Sequence, residues 1–322
     1  MSTPFTPVLR RNKPLRIRTW QADLLLLAVT AIWGATFPVV KSATDLSGGG
    51  VPTYWFLAAR FTLAAVLLGA FFWRRLLALR WQTWAAGALV GLFLFAGYAF
   101  QTFGLAYTTS AKAGFITGLG VVLVPVLSVI WLRRKPAPGA RLGVVTATVG
   151  LALLSLNADL TPTYGDLLVF LCAVGFALHI TAVSRYSGPH DPVALTVIQI
   201  GMAAVFSWTL HLADKGTLGP GVPGVQWWGG PANVVVAWLI CGVLATAVAF
   251  LLQNMLQPYT TPTHTALIFA AEPVWAAIFS YIILGEVLTV RGYVGAGLIL
   301  LGMFLAEVPL GKPADPATQP GD

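Results

Sequence analysis

Charged residues are scarce in this sequence. They make up 9% of its 322 residues, whereas a soluble domain carries about 25%. Hydrophobic residues make up 57% of the chain, so it lacks the polar side chains that would cover its surface in water. This composition excludes a soluble globular protein and predicts an integral membrane protein.

Acidic residues are scarcer than basic ones. The 19 Lys and Arg residues against 11 Asp and Glu residues give a formal net charge of +8. The basic residues lie beside apolar segments and form no basic face on a polar helix, which argues against a nucleic-acid partner. Cations that flank membrane spans are instead what the positive-inside rule predicts.

Cysteine and metal-binding patterns are scarce as well. The two cysteines, Cys172 and Cys241, lie within apolar runs, whereas a disulfide framework or a metal site requires more ligands at closer spacing. The four histidines form no HExxH pattern, and no Walker-type phosphate loop is present, so an ATP-driven pump is not expected. We therefore expect no metal, no cofactor and no enzymatic activity.

Long apolar runs are what the sequence has in abundance. A membrane-spanning helix needs about 20 mostly apolar residues, and ten runs approach that length. They cover residues 21–41, 53–73, 82–104, 109–132, 140–157, 165–184, 193–212, 232–256, 262–284 and 291–308. The sequence therefore predicts an all-α membrane protein with ten transmembrane helices.

Basic residues predict the orientation of these helices. With the N-terminus in the cytoplasm, most of them lie on the cytoplasmic side, namely Arg10, Arg11, Lys13, Arg16, Arg18, Arg74, Arg75, Arg80, Arg133, Arg134, Lys135, Arg141, Arg185 and Lys312. Lys41, Lys112, Lys215 and Arg291 lie at or near the opposite side. This asymmetry predicts a multi-pass protein of a bacterial-type cell membrane with both termini in the cytoplasm.

The spans fall into two repeats. YTT occurs at Tyr107 and again at Tyr259, and a shift of 152 residues aligns further polar residues and glycines without a gap. The aligned pairs include Gln101 with Gln253, Gly143 with Gly295, and Gly150 with Gly302. The first span aligns at a different offset, with DLL at Asp23 matching DLL at Asp166.

The repeats define four segments of the chain. We predict a basic cytoplasmic N-terminus at 1–20, a first repeat at 21–157, a second repeat at 158–308 and a disordered tail at 309–322. Each repeat contains five spans, an odd number, so the second repeat is inverted in the membrane relative to the first. Inverted repeats are typical of secondary transporters, which bind substrate near the midplane between the two halves.

Several stretches resemble the EamA family of the drug/metabolite transporter superfamily. They are ADLLLLAVTAIWGATFPVVK from Ala22, LAARFTLAAVLL from Leu57, GDLLVFLCAVGFALHI from Gly165 and AAEPVWAAIFSYIILGEVLTVRGYVGAGLILLGMFL from Ala270. The resemblance covers about residues 20–308. It implies two inverted five-helix repeats, alternating access, and export of amino acids or other small metabolites. LRRKP from Leu132 stands where the second repeat has LGEVL from Leu284, which leaves Glu286 without a counterpart.

Glu272 is the carboxylate that the sequence places near the membrane midplane. It lies about ten residues, or about 15 Å, into the ninth span. An ionisable residue at that depth costs roughly 2.5–3.5 kcal/mol, so it requires a role. Two interpretations stay open. Glu272 couples transport to a proton or cation or contacts a substrate amine, or it has a structural role in the half-helix that Pro273 interrupts.

Three basic side chains are candidates for other roles. Arg60 lies about two turns into the second span, where it snorkels, anchors a neighbouring helix or binds an anionic group. The family resemblance favours the structural role for Arg60. Lys112 at the outer mouth and His264, its inverted counterpart at the inner mouth, are candidate gate residues, with a location at the membrane interface as the alternative.

Polar and aromatic residues within the spans are candidates for lining a substrate cavity. Aromatic rings would form an apolar wall, and amides would bond a substrate or a neighbouring helix. Because 12% of the chain is aromatic, packing and lipid contact are the alternative for each ring. The candidates are Trp33, Thr36, Phe37, Tyr98, Gln101, Phe115, His179, Gln253, Glu272 and Trp275.

These features together predict secondary transport. We expect export of amino acids, including aromatic or other apolar ones, with a multidrug carrier or a carrier of other metabolites or lipid-related compounds as the alternative. A channel would need rings of polar groups, and a membrane enzyme would need clustered catalytic residues at one membrane face. The expected partners are a small-molecule substrate and the lipid bilayer, and the chain is expected to act as a monomer or homodimer.

Overall fold

The computed structural model of the chain is all-helical in the part that it describes. That part comprises residues 17–44, 49–77, 79–105, 107, 116–155, 163–213, 233–284 and 289–307. A helix lies in each of the ten predicted spans, which confirms the predicted fold class. We call the end of the bundle at which the first helix begins the inner end, and the opposite end the outer end, following the orientation that the basic residues predict.

The first repeat contributes five helices. They are α1 (Thr19–Thr44), α2 (Thr53–Leu76), α3 (Trp81–Leu105), α4 (Gly120–Leu132) and α5 (Pro138–Ser155). A turn precedes α4, in which the Leu119 amide donates to the Ile116 carbonyl at 3.1 Å. The described part of the fourth span therefore contains a local change of helical hydrogen bonding at Leu119.

The second repeat contributes the remaining helices. They are α6 (Tyr164–Tyr186), α7 (Pro192–Ala213), α8 (Val234–Tyr259), α9 (Pro262–Phe269), α10 (Glu272–Leu284) and α11 (Val290–Glu307). The predicted ninth span, 262–284, consists of the two half-helices α9 and α10. Most predicted boundaries agree with the observed ones to within three residues.

Local sequence fixes several of the helix starts. Thr163 forms a capping box with Asp166, because its hydroxyl accepts from the Asp166 amide at 3.2 Å while its own amide donates to the Asp166 carboxylate at 2.8 Å. Thr261 caps α9 by accepting from the His264 amide at 3.1 Å. Proline is the first residue of α5, α7 and α9, where its missing N–H has no helical partner to lose.

The surface around the sides of the bundle is apolar. Phe71, Ile130 and Val290 are 83%, 71% and 81% exposed, as expected for side chains that face lipid. The five helices α2, α3, α6, α7 and α8 have 22 to 26 residues and are long and apolar enough to cross a membrane. The described helices therefore present the surface that a hydrocarbon core requires.

The two repeats are interleaved in the bundle. α3 of the first repeat packs against α6 and α7 of the second, and α8 of the second packs against α1 and α2 of the first. One apolar cluster joins Phe61, Ile200 and Phe250, with Trp33 and Tyr98 packed against it. The centre of the bundle is therefore built jointly by both halves.

Spans five and ten pack backbone against backbone. A Cβ atom on Gly302 would lie 2.7 Å from the carbonyl oxygen of Gly143, and one on Gly150 would lie 2.6 Å from the carbonyl oxygen of Gly295. Helices α5 and α11 approach this closely because these positions are glycine. The repeat alignment turns one contact into the other, because Gly143 aligns with Gly295 and Gly302 aligns with Gly150, as a two-fold axis requires. This glycine crossing confirms the inverted repeat.

Candidate functional site

The ninth span is interrupted near the middle of the bundle. α9 ends at Phe269 and α10 begins at Glu272, and the amides of Ala270 and Ala271 both donate to carbonyls three residues earlier. Pro273 is accommodated in the first turn of α10, where an N–H would have no helical partner. The half-buried Glu272 thus lies at the positive end of a half-helix, which favours a negative charge there.

Helix α1 packs directly against the start of α10. A Cβ atom on Gly34 would lie 2.6 Å from the Cβ of Trp275 and 2.8 Å from the amide nitrogen of Ala276, so this approach requires glycine. Trp275 is half-buried, and its ring centroid lies 6.5 Å from that of Phe279. The contact at Gly34 holds α1 beside the backbone of Glu272.

Trp33 connects α1 to α8 and α9. Its indole Nε1 donates to the carbonyl oxygen of Ala245 at 2.9 Å. Its ring lies 5.3 Å from Phe250 in a tilted arrangement and 5.1 Å from Phe269 in an edge-on one, measured between centroids. These three rings form an apolar cluster at the break between α9 and α10, and the indole is fixed in place by its hydrogen bond.

A π-helical stretch of α8, Ile240–Val248, contains the hydrogen-bond acceptors for Trp33 and Arg60. Within it the Thr246 hydroxyl donates to the Cys241 carbonyl, five residues earlier, at 2.7 Å. The hydroxyl oxygen of Thr246 also accepts from Nε of Arg60 at 3.0 Å. The π turn therefore presents hydrogen-bond acceptors to both α1 and α2, and such turns are frequent at functional sites.

Arg60 and Glu272 both lie near Tyr98. Arg60 is 5% exposed, and its guanidinium carbon lies 5.4 Å from the Tyr98 ring centroid, within cation–π range. Both Arg60 and Glu272 lie close enough to the half-buried Tyr98 to act on it electrostatically. Tyr98 also packs edge-on against Phe176, with centroids 5.2 Å apart. The centre of the bundle thus holds a cation, a phenol and a carboxyl group among aromatic rings.

His179 lies behind this aromatic group. It is 2% exposed, its Nε2 lies 3.0 Å from the Gln199 side-chain oxygen, and its ring meets Phe250 edge-on at 5.9 Å. Thr36, its counterpart in the first repeat, bonds the Trp33 carbonyl of its own helix at 2.7 Å. His179 therefore joins α6 to α7 beside the aromatic rings, whereas the hydroxyl of Thr36 bonds within its own helix α1.

The inner end is sealed by amide side chains of α8. Gln257 donates to the carbonyl oxygen of Ile180 and to the Ser184 hydroxyl, the latter at 2.6 Å. Gln253 in turn donates to the Gln257 side-chain oxygen at 3.2 Å. Gln253 and Gln257 are 1% and 0% exposed. We call these four residues the inner amide seal, because they join α8 to α6 below the aromatic group.

His264 lies at the same end of the bundle. Its Nδ1 is 3.1 Å from the Thr260 hydroxyl and 3.8 Å from a carboxylate oxygen of Asp23 at the start of α1. The two side chains form an ion pair when the imidazole is protonated. Together with the inner amide seal, this contact connects α1, α6, α8 and α9 at the inner end.

The structure brings some of the predicted site residues together and separates others. Trp33, Tyr98, Glu272 and Trp275 lie at or beside the break in the ninth span, with Arg60 next to them. Thr36 and His179 lie against this group, Gln253 and His264 belong to the inner end, and Gln101 is half-buried near the outer end of α3. The Phe37 side chain, Lys112 and Phe115 lie outside the described residues.

Sequence reasoning missed several residues of this region. They are Phe176, Gln199, Thr246, Phe250, Gln257 and Phe269. Thr246 owes its place to the π turn, for which the sequence carries no known signal. Phe269 was recoverable, since it is the last residue before a break that Pro273 already indicated.

Comparison with known proteins agrees with this architecture. The model of the EamA-like transporter family matches residues 20–156 and again residues 163–307. The chain belongs to the EamA-like transporter family. The transporter is 36% identical over 294 residues to a protein of Archaeoglobus fulgidus described as an uncharacterized transporter, with 91% of this chain and 87% of the relative covered.

More distant relatives share the same extent. The uncharacterized transporter YoaV of Bacillus subtilis is 23% identical, with 87% of this chain and 94% of the relative covered. A solved crystal structure superimposes with a TM-score of 0.72 over 90% of this chain and 97% of its own, at 20% sequence identity, which shows the shared fold. As a member of the EamA-like transporter family, the chain is a multi-pass membrane transporter of small molecules and is not an enzyme.

Proposed function

We propose that this transporter exports zwitterionic metabolites, foremost amino acids with apolar or aromatic side chains, by alternating access. The observation that carries the proposal is the placement of both Arg60 and Glu272 near Tyr98 in the centre of the bundle. An amino acid presents one carboxylate and one ammonium group. Arginine is the side chain best suited to bind a carboxylate, and a carboxyl group is a natural partner for the ammonium.

The aromatic rings suit the rest of such a substrate. The Trp33 ring lies 5.3 Å from Phe250 and 5.1 Å from Phe269, measured between centroids. Phe176 packs beside Tyr98. Ligand sites are mostly apolar, with a few placed polar groups that fix orientation. An apolar or aromatic amino-acid side chain would occupy the ring cluster while its charged groups meet Arg60 and Glu272.

Alternating access follows from the two-fold arrangement of the repeats. Inverted halves provide inward-open and outward-open forms of similar energy around one central site. In this structure the inner end is joined by the inner amide seal and by the contact between His264 and Asp23. Release toward the cytoplasm or uptake from it requires these contacts to part. In the orientation that the basic residues predict, with both termini in the cytoplasm of a bacterial-type cell, export begins with that opening.

The carboxylate contact can be tested with substrate pairs in proteoliposomes. The full chain is reconstituted, and saturable counterflow is measured for leucine and phenylalanine and for the amines that lack the carboxylate. Arg60→Gln should lower counterflow of the amino acids about tenfold, since a charged hydrogen bond is worth roughly 1.5 kcal/mol or more, and should spare any amine that is carried. Arg80→Gln, which removes an exposed cation at the inner end, is the matched control.

The same measurement separates the alternative function. A multidrug carrier would use the ring cluster and Glu272 to hold a hydrophobic cation, for which Arg60 offers no attraction. Hydrophobic cations would then be carried in preference to amino acids, and Arg60→Gln would leave their flux unchanged or increase it. Flux without saturation or counterflow would instead indicate a channel and contradict both carriers.

A further inference from the structure

A surface groove lies between α4 and α5 at the inner end. It has a volume of about 450 Å³ and is lined by Pro125, Val126, Val129, Lys135, Pro136 and Arg141. Val126 and Val129 are 51% and 42% exposed and form its apolar floor on the side that faces lipid. Lys135 and Arg141 lie at its inner rim. We call this feature the α4–α5 groove.

Pro125 helps to explain the apolar part of the groove. It lies inside α4, where proline removes a backbone hydrogen bond and its ring displaces the preceding turn. A helix disturbed in this way leaves room beside it. In this case the room is bounded by valine side chains and opens toward the hydrocarbon region, so it suits an acyl chain better than water or a small polar ion.

The basic rim is built in an unusual way. α4 ends with Arg133 in the left-handed conformation, with φ 54° and ψ 28°, a conformation that costs a non-glycine residue on the order of 1 kcal/mol. Glycine is the usual residue at this place, and the aligned residue of the second repeat is Gly285. The first repeat therefore has a cation where the local backbone favours glycine.

Arg141 is held at the rim by the turn itself. Its Nε donates to the carbonyl oxygen of Pro136 at 3.1 Å, which fixes the guanidinium beside the groove. A guanidinium has five N–H donors, and this bond uses one of them. The proline-rich turn from Lys135 to Pro138 is short and stiff, so the cation is already positioned before any ligand arrives.

The charge of the rim is uncompensated within its own segment. Residues 125–141 contain four cations, Arg133, Arg134, Lys135 and Arg141, and no Asp or Glu. All four cations are exposed. The aligned segment of the second repeat, 277–293, contains Glu286 and Arg291 and has no net charge. The positive-inside rule accounts for cations at this end, but it does not account for an apolar groove beneath them.

We propose that the α4–α5 groove binds an anionic phospholipid. Lys135 and Arg141 hold the phosphate, Arg133 and Arg134 add to the attraction, and one acyl chain lies along Val126 and Val129. Basic pockets at the cytoplasmic ends of membrane helices attract anionic lipid headgroups, and guanidinium groups pair well with phosphate oxygens. The apolar floor selects a phospholipid rather than free phosphate.

The proposal can be tested by lipid binding to the full chain in detergent. Native mass spectrometry measures retention of phosphatidylglycerol against phosphatidylcholine. The double variant Lys135→Gln/Arg141→Gln should lower phosphatidylglycerol retention roughly tenfold or more, since each cation near an anionic headgroup contributes on the order of a fivefold change. The control Arg74→Gln/Arg80→Gln removes the same charge from the inner face outside the groove and should retain the lipid.

A second variant tests the apolar floor with the rim intact. Val129→Trp fills the groove without changing its charge, and it lies on a lipid-exposed surface where a larger apolar side chain is tolerated. It should lower retention of phosphatidylglycerol while leaving binding of glycerol phosphate unchanged. Equal losses in the two double variants would reduce the effect to general surface charge and overturn the proposal. Unchanged retention by Val129→Trp would overturn it too.

Discussion

The fourth and ninth spans are counterparts in the two repeats, and both change their hydrogen bonding at the same aligned position. α4 begins at Gly120 after a turn at Leu119, and α10 begins at Glu272 after Ala270 and Ala271. A Cβ atom on Gly120 would meet nothing within 4 Å, whereas Glu272 puts a carboxyl group at the equivalent place. The backbone break is thus common to both halves, and the charge belongs to one.

The residues at the inner end of the bundle differ from their repeat counterparts at the outer end in the same way. Gln257 of the inner amide seal aligns with Leu105, and His264 aligns with Lys112. An outer seal built from the aligned residues cannot repeat the amide bonds that Gln257 makes to Ile180 and Ser184. Inverted symmetry of the backbone therefore provides two similar states, while the side chains make those states chemically unequal.

The largest effect is expected from removing the charge that only the second repeat has. Glu272→Gln should reduce transport driven by a pH gradient to the background of empty vesicles, because an amide cannot take up and release the proton that Glu272 is expected to carry. Substrate exchange between the two sides should persist at saturating substrate, because exchange needs no net proton movement. Its half-saturating concentration should rise, because an amide pairs less well than a carboxylate with the substrate ammonium. Both fluxes are measured in the same proteoliposomes.

Gly120→Gln is the matched control for that prediction. It places the same amide at the aligned position of the first repeat, in open space, and should leave pH-driven transport nearly unchanged. Loss of exchange together with net transport in Glu272→Gln, accompanied by a lower thermal stability, would instead assign the carboxyl group a structural role in the half-helix.

A smaller effect is expected from a substitution in the glycine contact between α5 and α11, to which both repeats contribute. Gly302→Val places a branched side chain against the carbonyl of Gly143, and overpacking of this kind costs about 1–3 kcal/mol. The unfolding temperature in detergent should fall accordingly. Gly297→Val, on the same helix but with nothing within 4 Å of its Cβ, should change it little, and an equal fall in both variants would contradict a specific contact.

The smallest effect is expected when Gln257 at the inner end is replaced by leucine, the residue that Leu105 provides at the aligned position of the first repeat. Gln257→Leu removes the two amide bonds to α6, which at about 0.5 kcal/mol each, the low end of the usual net value, contribute about 1 kcal/mol together. The equilibrium should therefore shift toward opening of the inner end by roughly fivefold. Thiol labelling of Ala266→Cys, a position now 3% exposed, reports the opening in a chain with both native cysteines replaced by alanine. Gln101→Leu should leave this labelling rate unaltered, and a slower rate in Gln257→Leu would contradict the seal.

Much of this architecture could be predicted from the sequence. Apolar runs gave the ten spans, the constant spacing from Gln101 to Gln253 and from Gly143 to Gly295 gave the repeat, and the cost of a buried charge singled out Glu272. Each of these signals depends on composition or on spacing along one chain. Such signals can be read from the sequence without knowing how each helix is rotated about its axis.

The remaining features depend on helix rotation and on contacts between the halves. Thr246 meets Arg60 because a π turn shifts the register of α8, and no residue type marks that shift. Gln257 reaches Ser184, and His179 reaches Gln199, across helix pairs whose relative rotation follows from the packing of the eleven helices in the described part of the chain. For that reason the sequence identified many residues of the centre without identifying the partner of each.

The glycine crossing between α5 and α11 has a mechanical consequence. Gly143 touches Gly302 and Gly150 touches Gly295, at two contacts that lie seven residues, or about 10 Å, apart along each helix. Two backbones held at two such points can neither slide past each other nor turn about either contact without separating. Any motion that opens one end of the bundle while these contacts last therefore carries α5 and α11 together as one rigid unit.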